Sequence, residues 1–127
     1  MTKKTCLFAP GCKPPEAPVS HAVKAAGSFV FVSGQVGADL HNGELHNESI
    51  EAETAQALEN IKEILRAAGA TLDDVVKVTV FVTNMEFFSK VNEVYKRYFP
   101  AERPTRSCVQ VGLANNYRVE IEAIAVQ

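Results

Sequence analysis

Arg106 and Glu120 are the residues of this 127-residue chain best suited to chemistry. Arg106 lies in Arg103-Pro104-Thr105-Arg106-Ser107-Cys108-Val109-Gln110-Val111, which reads as the opening of a strand. Glu120 lies in Arg118-Val119-Glu120-Ile121-Glu122-Ala123-Ile124-Ala125-Val126, which reads as the following strand. Desolvating an ion costs on the order of several kcal/mol, so a charge inside an apolar strand is normally paired or put to use. A guanidinium presents a planar fork that matches a substrate carboxylate in a way an ammonium cannot copy. A nearby carboxylate can orient or activate a water. The same two residues could equally be an interstrand ion pair holding two neighbouring strands. Glu122 shares the parity of Glu120, so alternation does not choose which of the two faces a cleft.

Other reactive residue types carry blander readings. Cys108 follows Arg106 by two residues and shares its face; with no His near it in sequence, it reads as a small buried hydrophobe rather than a nucleophile. His41 and His46 flank an Asn-Gly turn, lack a third ligand partner and read as solvated loop residues. His21 reads as a satisfied strand histidine. Ser33-Gly34-Gln35 ends the apolar run Phe29-Val30-Phe31-Val32, where Gly34 either lets a ligand approach the backbone or marks a bulge. No Gly-x-Ser-x-Gly elbow or phosphate-cradling glycine loop occurs. Asn92 lies mid-helix, and its spacing from Phe88 turns it either toward a sheet or toward solvent.

The elements that would position these residues follow from hydrophobic period and punctuation. A short edge strand near residues 5–9 precedes a loop with four prolines between positions 10 and 18. Residues 21–25 and 29–36 read as strands joined by Ala26-Gly27-Ser28, and Asn42-Gly43 suits a tight turn. Ile50, Thr54, Ala57, Leu58, Ile61, Leu65 and Ala68 recur at helical steps, with Ser49 as N-cap, Glu51 and Glu53 in the first turn and Gly69 as the stop. Residues 75–83 predict a strand with Val76, Val78, Val80 and Val82 on one face. Asn84 is placed to cap a second helix that buries Phe87, Phe88, Val91, Val94, Tyr95 and Tyr98 and stops before Pro100. The order β-β-β-α-β-α-β-β gives an α+β domain whose helices cover one sheet face. The other face, mixed in Thr, Ser, Gln, Lys and Phe, should be covered in an oligomer with wet clefts.

Bulk numbers narrow the function classes. The length fits one domain, residues 1–127, and the 46% hydrophobic and 22% charged content is ordinary for a soluble fold. A net charge of -2 gives no electrostatic footprint for nucleic acid. Three cysteines without Cys-x-x-Cys spacing argue against a disulfide framework or zinc site and fit a reducing compartment. No run is long enough to cross a bilayer and no secretory signal is evident, so the cytoplasm is expected, with a processed mitochondrial form left open.

Taken together, several segments resemble one family. Val32-Ser33-Gly34-Gln35-Val36, Ala57-Leu58-Glu59-Asn60-Ile61, Ala67-Ala68-Gly69-Ala70 and Val75-Val76-Lys77-Val78-Thr79-Val80-Phe81 match its pattern in order and spacing. So do residues 88–99, Arg106-Ser107-Cys108-Val109 and residues 119–126. The chain is similar to the RidA (YjgF) family of reactive intermediate deaminases. The resemblance implies a chorismate-mutase-like α+β fold in a homotrimer, with clefts between subunits. It implies hydrolysis of enamine and imine acids such as 2-aminoacrylate and 2-iminobutanoate to the 2-keto acid and ammonia, without cofactor or metal. It assigns the substrate carboxylate to Arg106, the attacking water to Glu120, and the pocket lining to Ser33, Gly34, Phe88, Asn92 and Cys108.

Two departures bear on substrate preference and rate. Ala17-Pro18-Val19-Ser20-His21 stands where the family commonly has Gly-Pro-Tyr-Ser-Gln, so Val19 replaces a tyrosine that would close over the ligand. Gly112-Leu113-Ala114-Asn115-Asn116 is shorter than the usual connection and lacks its Leu-Pro. Two other readings stand beside the deaminase: an RNA-directed ribonuclease or translation inhibitor, and a non-catalytic ligand-binding or chaperone-like trimer.

Overall fold

The computed structural model describes residues 3–127. In chain order the elements are β1 (Lys4–Leu7), β2 (Ala22–Ala25), β3 (Phe29–Gln35), α1 (Ile50–Ala67), β4 (Val75–Val82), α2 (Phe88–Tyr98), β5 (Thr105–Gln110) and β6 (Val119–Val126). The predicted order holds, but the strands divide between two sheets. β1 and β2 form an antiparallel pair of their own, while β3-β6-β4-β5 is the order of the main sheet. β4 and β5 run parallel because α2 makes the crossover between them; the other main-sheet pairs are antiparallel.

Both helices pack on one face. Val78, Val80 and Val82 of β4, with Val119, Ile121, Ala123 and Ala125 of β6, meet Leu58, Ile61 and Leu65 of α1 and Val91, Val94 and Tyr95 of α2 in one buried cluster. Burying a Leu such as Leu58 completely stabilises the fold by about 1.5–3 kcal/mol relative to leaving it in water. The α1 boundaries follow the expected chemistry. Ser49 Oγ accepts from the Ala52 N–H at 3.0 Å, and Gly69 turns the chain at φ 76° just past the C-cap.

Two details differ from expectation. The register of β4 against β6 shifts between Val75 and Lys77, so Val75 is fully buried in place of the half-buried Val76. Asn84 caps a 3-10 turn, Met85–Phe87, and α2 starts only at Phe88. Phe88, the first residue of α2, lies over the Arg106 guanidinium near the start of β5.

The face away from the helices is open. Phe31 is 73% exposed and Phe29 55%, beside Lys77, Thr79, Phe81, Glu120 and Glu122 of the neighbouring strands. Large aromatic surface of this kind on a sheet calls for cover.

Candidate functional site

Arg106 lies opposite Val78 in the parallel register of β4 and β5, which directs its side chain to the helix-covered face. Its Cζ sits 4.7 Å from the centre of the Tyr95 ring and 5.5 Å from that of Phe88. The rings hold the guanidinium by cation–π attraction and fix its plane without satisfying its N–H groups. Nη1 is buried with no hydrogen-bond partner. Among the described residues four buried side-chain polar atoms are orphaned in this way, and three of them, Arg106 Nη1, Tyr95 Oη and Asn92 Oδ1, belong to the junction of β5 and α2. Such atoms are rare in folded proteins, so their clustering makes this junction the candidate place for a polar ligand.

Burial sets the protonation states here. Desolvation lowers the Arg106 pKa, opposed by the Tyr95 and Cys108 charges, and a guanidinium has ample margin to remain cationic. Desolvation raises that of Tyr95 above the usual phenol range despite Arg106 and Arg103, keeping the phenol neutral. It also raises that of Cys108, with Arg106 opposing, so the thiol is neutral and packs against the core as expected.

Glu120 is elsewhere. It lies opposite Phe81, on the open face of the sheet. β4 separates β5 from β6, so Arg106 and Glu120 are on opposite faces of strands that are not neighbours. The interstrand ion pair is therefore overturned, because chain order is not sheet order, and Arg106 has no acidic partner among the described residues. The open face distinguishes the two glutamates. Glu122 is exposed opposite Thr79, whereas the half-buried Glu120 folds its carboxylate against Gly34. A Cβ built on Gly34 would lie 2.8 Å from Glu120 Cδ and overlap its carboxylate oxygen. The bulge reading of Gly34 holds, since the register shifts between Val32 and Gln35, and the group that approaches its backbone is the Glu120 carboxylate rather than a ligand. Ser33 is exposed at the same bulge.

Sequence reasoning missed two participants. Tyr95 was legible as core but not as the platform under Arg106. Glu53, counted among first-turn carboxylates, is fully buried and accepts from the Arg118 backbone N–H at 3.1 Å and from its guanidinium. The signal was there: Glu53 lies three residues after Ile50 and four before Ala57, on the apolar stripe. His41 and His46 match their bland readings, and His21 is satisfied as expected but lies just before β2 rather than in the strand. His21 Nδ1 accepts from the Ala9 N–H at 2.9 Å, while the side chains of His41 and His46 lie 3.7 Å and 4.0 Å from Glu63 and Glu48. Among the described residues no group of three or more His, Cys, Asp or Glu is placed to hold a metal ion. Val19 lines a hollow of about 130 Å³ with Cys6, Phe8, Ser20 and Arg103. A cavity of about 920 Å³ lies by Lys4, Asp73, Glu102 and Gln127 and includes neither Arg106 nor Glu120.

Residues 11–127 match the family model described as Endoribonuclease L-PSP. The chain belongs to the YjgF/RidA family. A RutC family protein of Pyrococcus horikoshii is 46% identical over 123 residues, covering 96% of this chain and 97% of that one. A 2-iminobutanoate/2-iminopropanoate deaminase of Mus musculus is 47% identical over 111 residues, covering 87% of this chain and 82% of that one. The crystal structure of E. coli TdcF with bound serine superposes with a TM-score of 0.75 at 38% identity, covering 97% of this chain and 98% of that one. The fold is thus that of the RidA proteins, two helices on a mixed sheet, and the relatives include named imine deaminases.

Proposed function

We propose that the protein hydrolyses 2-imino and 2-enamino acids, such as 2-iminobutanoate and 2-aminoacrylate, to the 2-keto acid and ammonia. The observation that carries this reading is the orphaned Nη1 of Arg106, a buried cationic donor stacked on two rings and lacking an acid of its own. A small carboxylate is the partner whose charge and planar geometry fit it. The name of the mouse relative and the serine bound in TdcF are consistent with a small amino-acid-like ligand.

A single chain keeps Arg106 and Glu120 on opposite faces, so the site is completed between subunits of a homotrimer. Arg106 of one chain and Glu120 of the next line a shared cleft, and the exposed Phe29 and Phe31 are covered there. Phe88, Asn92 and Cys108 line the Arg106 side, and Ser33 and Gly34 the Glu120 side. The enamine tautomerises to an imine, whose carbon is electrophilic once the nitrogen is protonated. Arg106 fixes the carboxylate and with it the position of that carbon, which makes water attack effectively intramolecular. Glu120 accepts a proton from the attacking water and returns it to nitrogen; the C–N bond of the tetrahedral adduct then breaks, releasing ammonia, while the adduct's hydroxyl proton passes to Glu120 and leaves the carbonyl. The residues named suffice for these steps, and no side chain becomes covalently bound.

The test is keto-acid release from imine generated in situ by an amino-acid oxidase. Arg106→Ala should reduce the accelerated rate by at least about 100-fold, the scale of losing an orienting clamp. A variant as fast as the unmodified protein refutes the role. The family model's description favours a second reading, an RNA-directed ribonuclease. It requires RNA affinity that falls with salt, so a filter-binding titration without that slope retires it.

A further inference from the structure

Two polar side chains of α1 take no part in these steps, yet both occupy its apolar stripe: Glu53 is 0% exposed and Asn60 3%. They lie two turns apart on one side of the helix. The Glu53 carboxylate accepts from the Arg118 N–H at 3.1 Å and from Arg118 Nε, while Arg118 Nη2 donates to the Asn47 carbonyl at 2.8 Å. Asn60 Nδ2 donates to the carbonyls of Val36 at 3.1 Å and Ala38 at 2.8 Å. Between those carbonyls Gly37 presses on the helix so closely that a Cβ there would lie 3.0 Å from Glu53 Cα. Helix α1 therefore grips two segments at once, the exit of β3 and the entry of β6.

Those segments bracket the contact between Glu120 and Gly34. Arg118 is two residues before Glu120, and Val36 two residues after Gly34. The strand ladder is interrupted at Gly34 itself: the β3–β6 register slips between Val32 and Gln35 and resumes with Gln35 opposite Ile121, so the Glu120 side chain meets the bulge rather than a regular pair. Stability alone does not call for a carboxylate at position 53 either, since an apolar side chain of similar volume can serve a core as well as a buried ion pair. What the pair adds is a fixed position. We propose that Glu53, acting through Arg118, is a positioning residue that holds the Glu120 carboxylate against Gly34, with Asn60 fixing the opposite rim. Its kinetic consequence rests on the deaminase reading; its structural consequence does not.

A double-mutant cycle tests this, comparing Glu53→Leu and Glu53→Gln in the unmodified protein and in a Glu120→Ala background. Glu53→Leu should lower kcat about ten-fold or more with KM within about two-fold, because carboxylate binding at Arg106 is untouched. Glu53→Gln, which keeps an acceptor for the Arg118 N–H, should recover most of the loss. In the Glu120→Ala background Glu53→Leu should change the residual rate by less than about two-fold. An equal proportional loss in both backgrounds, or a loss carried by KM, overturns the proposal. Should Glu53→Leu not fold, Arg118→Lys runs the same cycle, since that side chain is 35% exposed and lysine keeps a cation beside the buried carboxylate while losing the guanidinium's fork. A crystal structure of either variant gives a readout free of activity: the Glu120 carboxylate should leave Gly34, and an unmoved carboxylate overturns the proposal. Failure of the unmodified protein to accelerate imine decay would instead sink the deaminase reading.

Discussion

Replacing Gly34 by alanine isolates the water-handling half of the site. Gly34 is not among the glycines with positive φ, so alanine suits its backbone and adds only one methyl group. That methyl would sit 2.8 Å from Glu120 Cδ, where ordinary carbon contacts are about 3.5 Å, so the carboxylate must retreat by roughly 0.7 Å. A misplacement of about 1 Å in a catalytic geometry costs on the order of 100-fold, so the retreat should lower kcat about 30-fold, or ~2 kcal/mol of barrier. The fold should tolerate it, because the group that yields is the far end of a long side chain and alanine restricts the unfolded chain more than glycine does. Steady-state kinetics on oxidase-generated imine, alongside a thermal melt, provides the assay. An unchanged kcat in a variant that melts normally would show that the Glu120–Gly34 contact is irrelevant to the chemistry. A loss carried by KM alone would move the defect to carboxylate binding and contradict the division of labour.

Further outcomes follow from the open face and from the thiols. Phe31→Glu, at a position 73% exposed in the isolated chain, should convert a trimer into smaller species in light-scattering chromatography and abolish keto-acid release; an active monomeric unmodified protein would refute completion of the site between subunits. Because burial raises the Cys108 pKa, its thiol stays protonated near neutrality, and its labelling should accelerate only as pH climbs past the ordinary thiol range. Iodoacetamide at neutral pH should therefore alkylate the exposed Cys12 first and leave activity intact, as peptide mass spectrometry and the rate assay would report. Early labelling of Cys108 would contradict that environment.

Local signals carried the elements well. The steps between Ile50, Ala57, Leu58, Ile61 and Leu65 define α1, and each of those residues is buried. Long-range pairing was not legible: nothing in residues 105–126 says that β4 lies between β5 and β6, so an apparent Arg–Glu neighbour pair dissolves into two faces of one sheet. The bulges at Val32/Gln35 and Val75/Lys77 also escaped, because one extra residue in a strand leaves the alternation nearly unchanged. Arg106 and Glu120 stood out as charges among apolar neighbours. Glu53 did not, because a carboxylate in a first helical turn already has an electrostatic reason to be there.

The account stands or falls on where a small acid binds. A crystal structure with 2-ketobutanoate should show its carboxylate bonded to the Arg106 guanidinium, with Glu120 of a neighbouring subunit reaching the ketone through a water. A carboxylate seated away from Arg106, with Nη1 still lacking a partner, would contradict it.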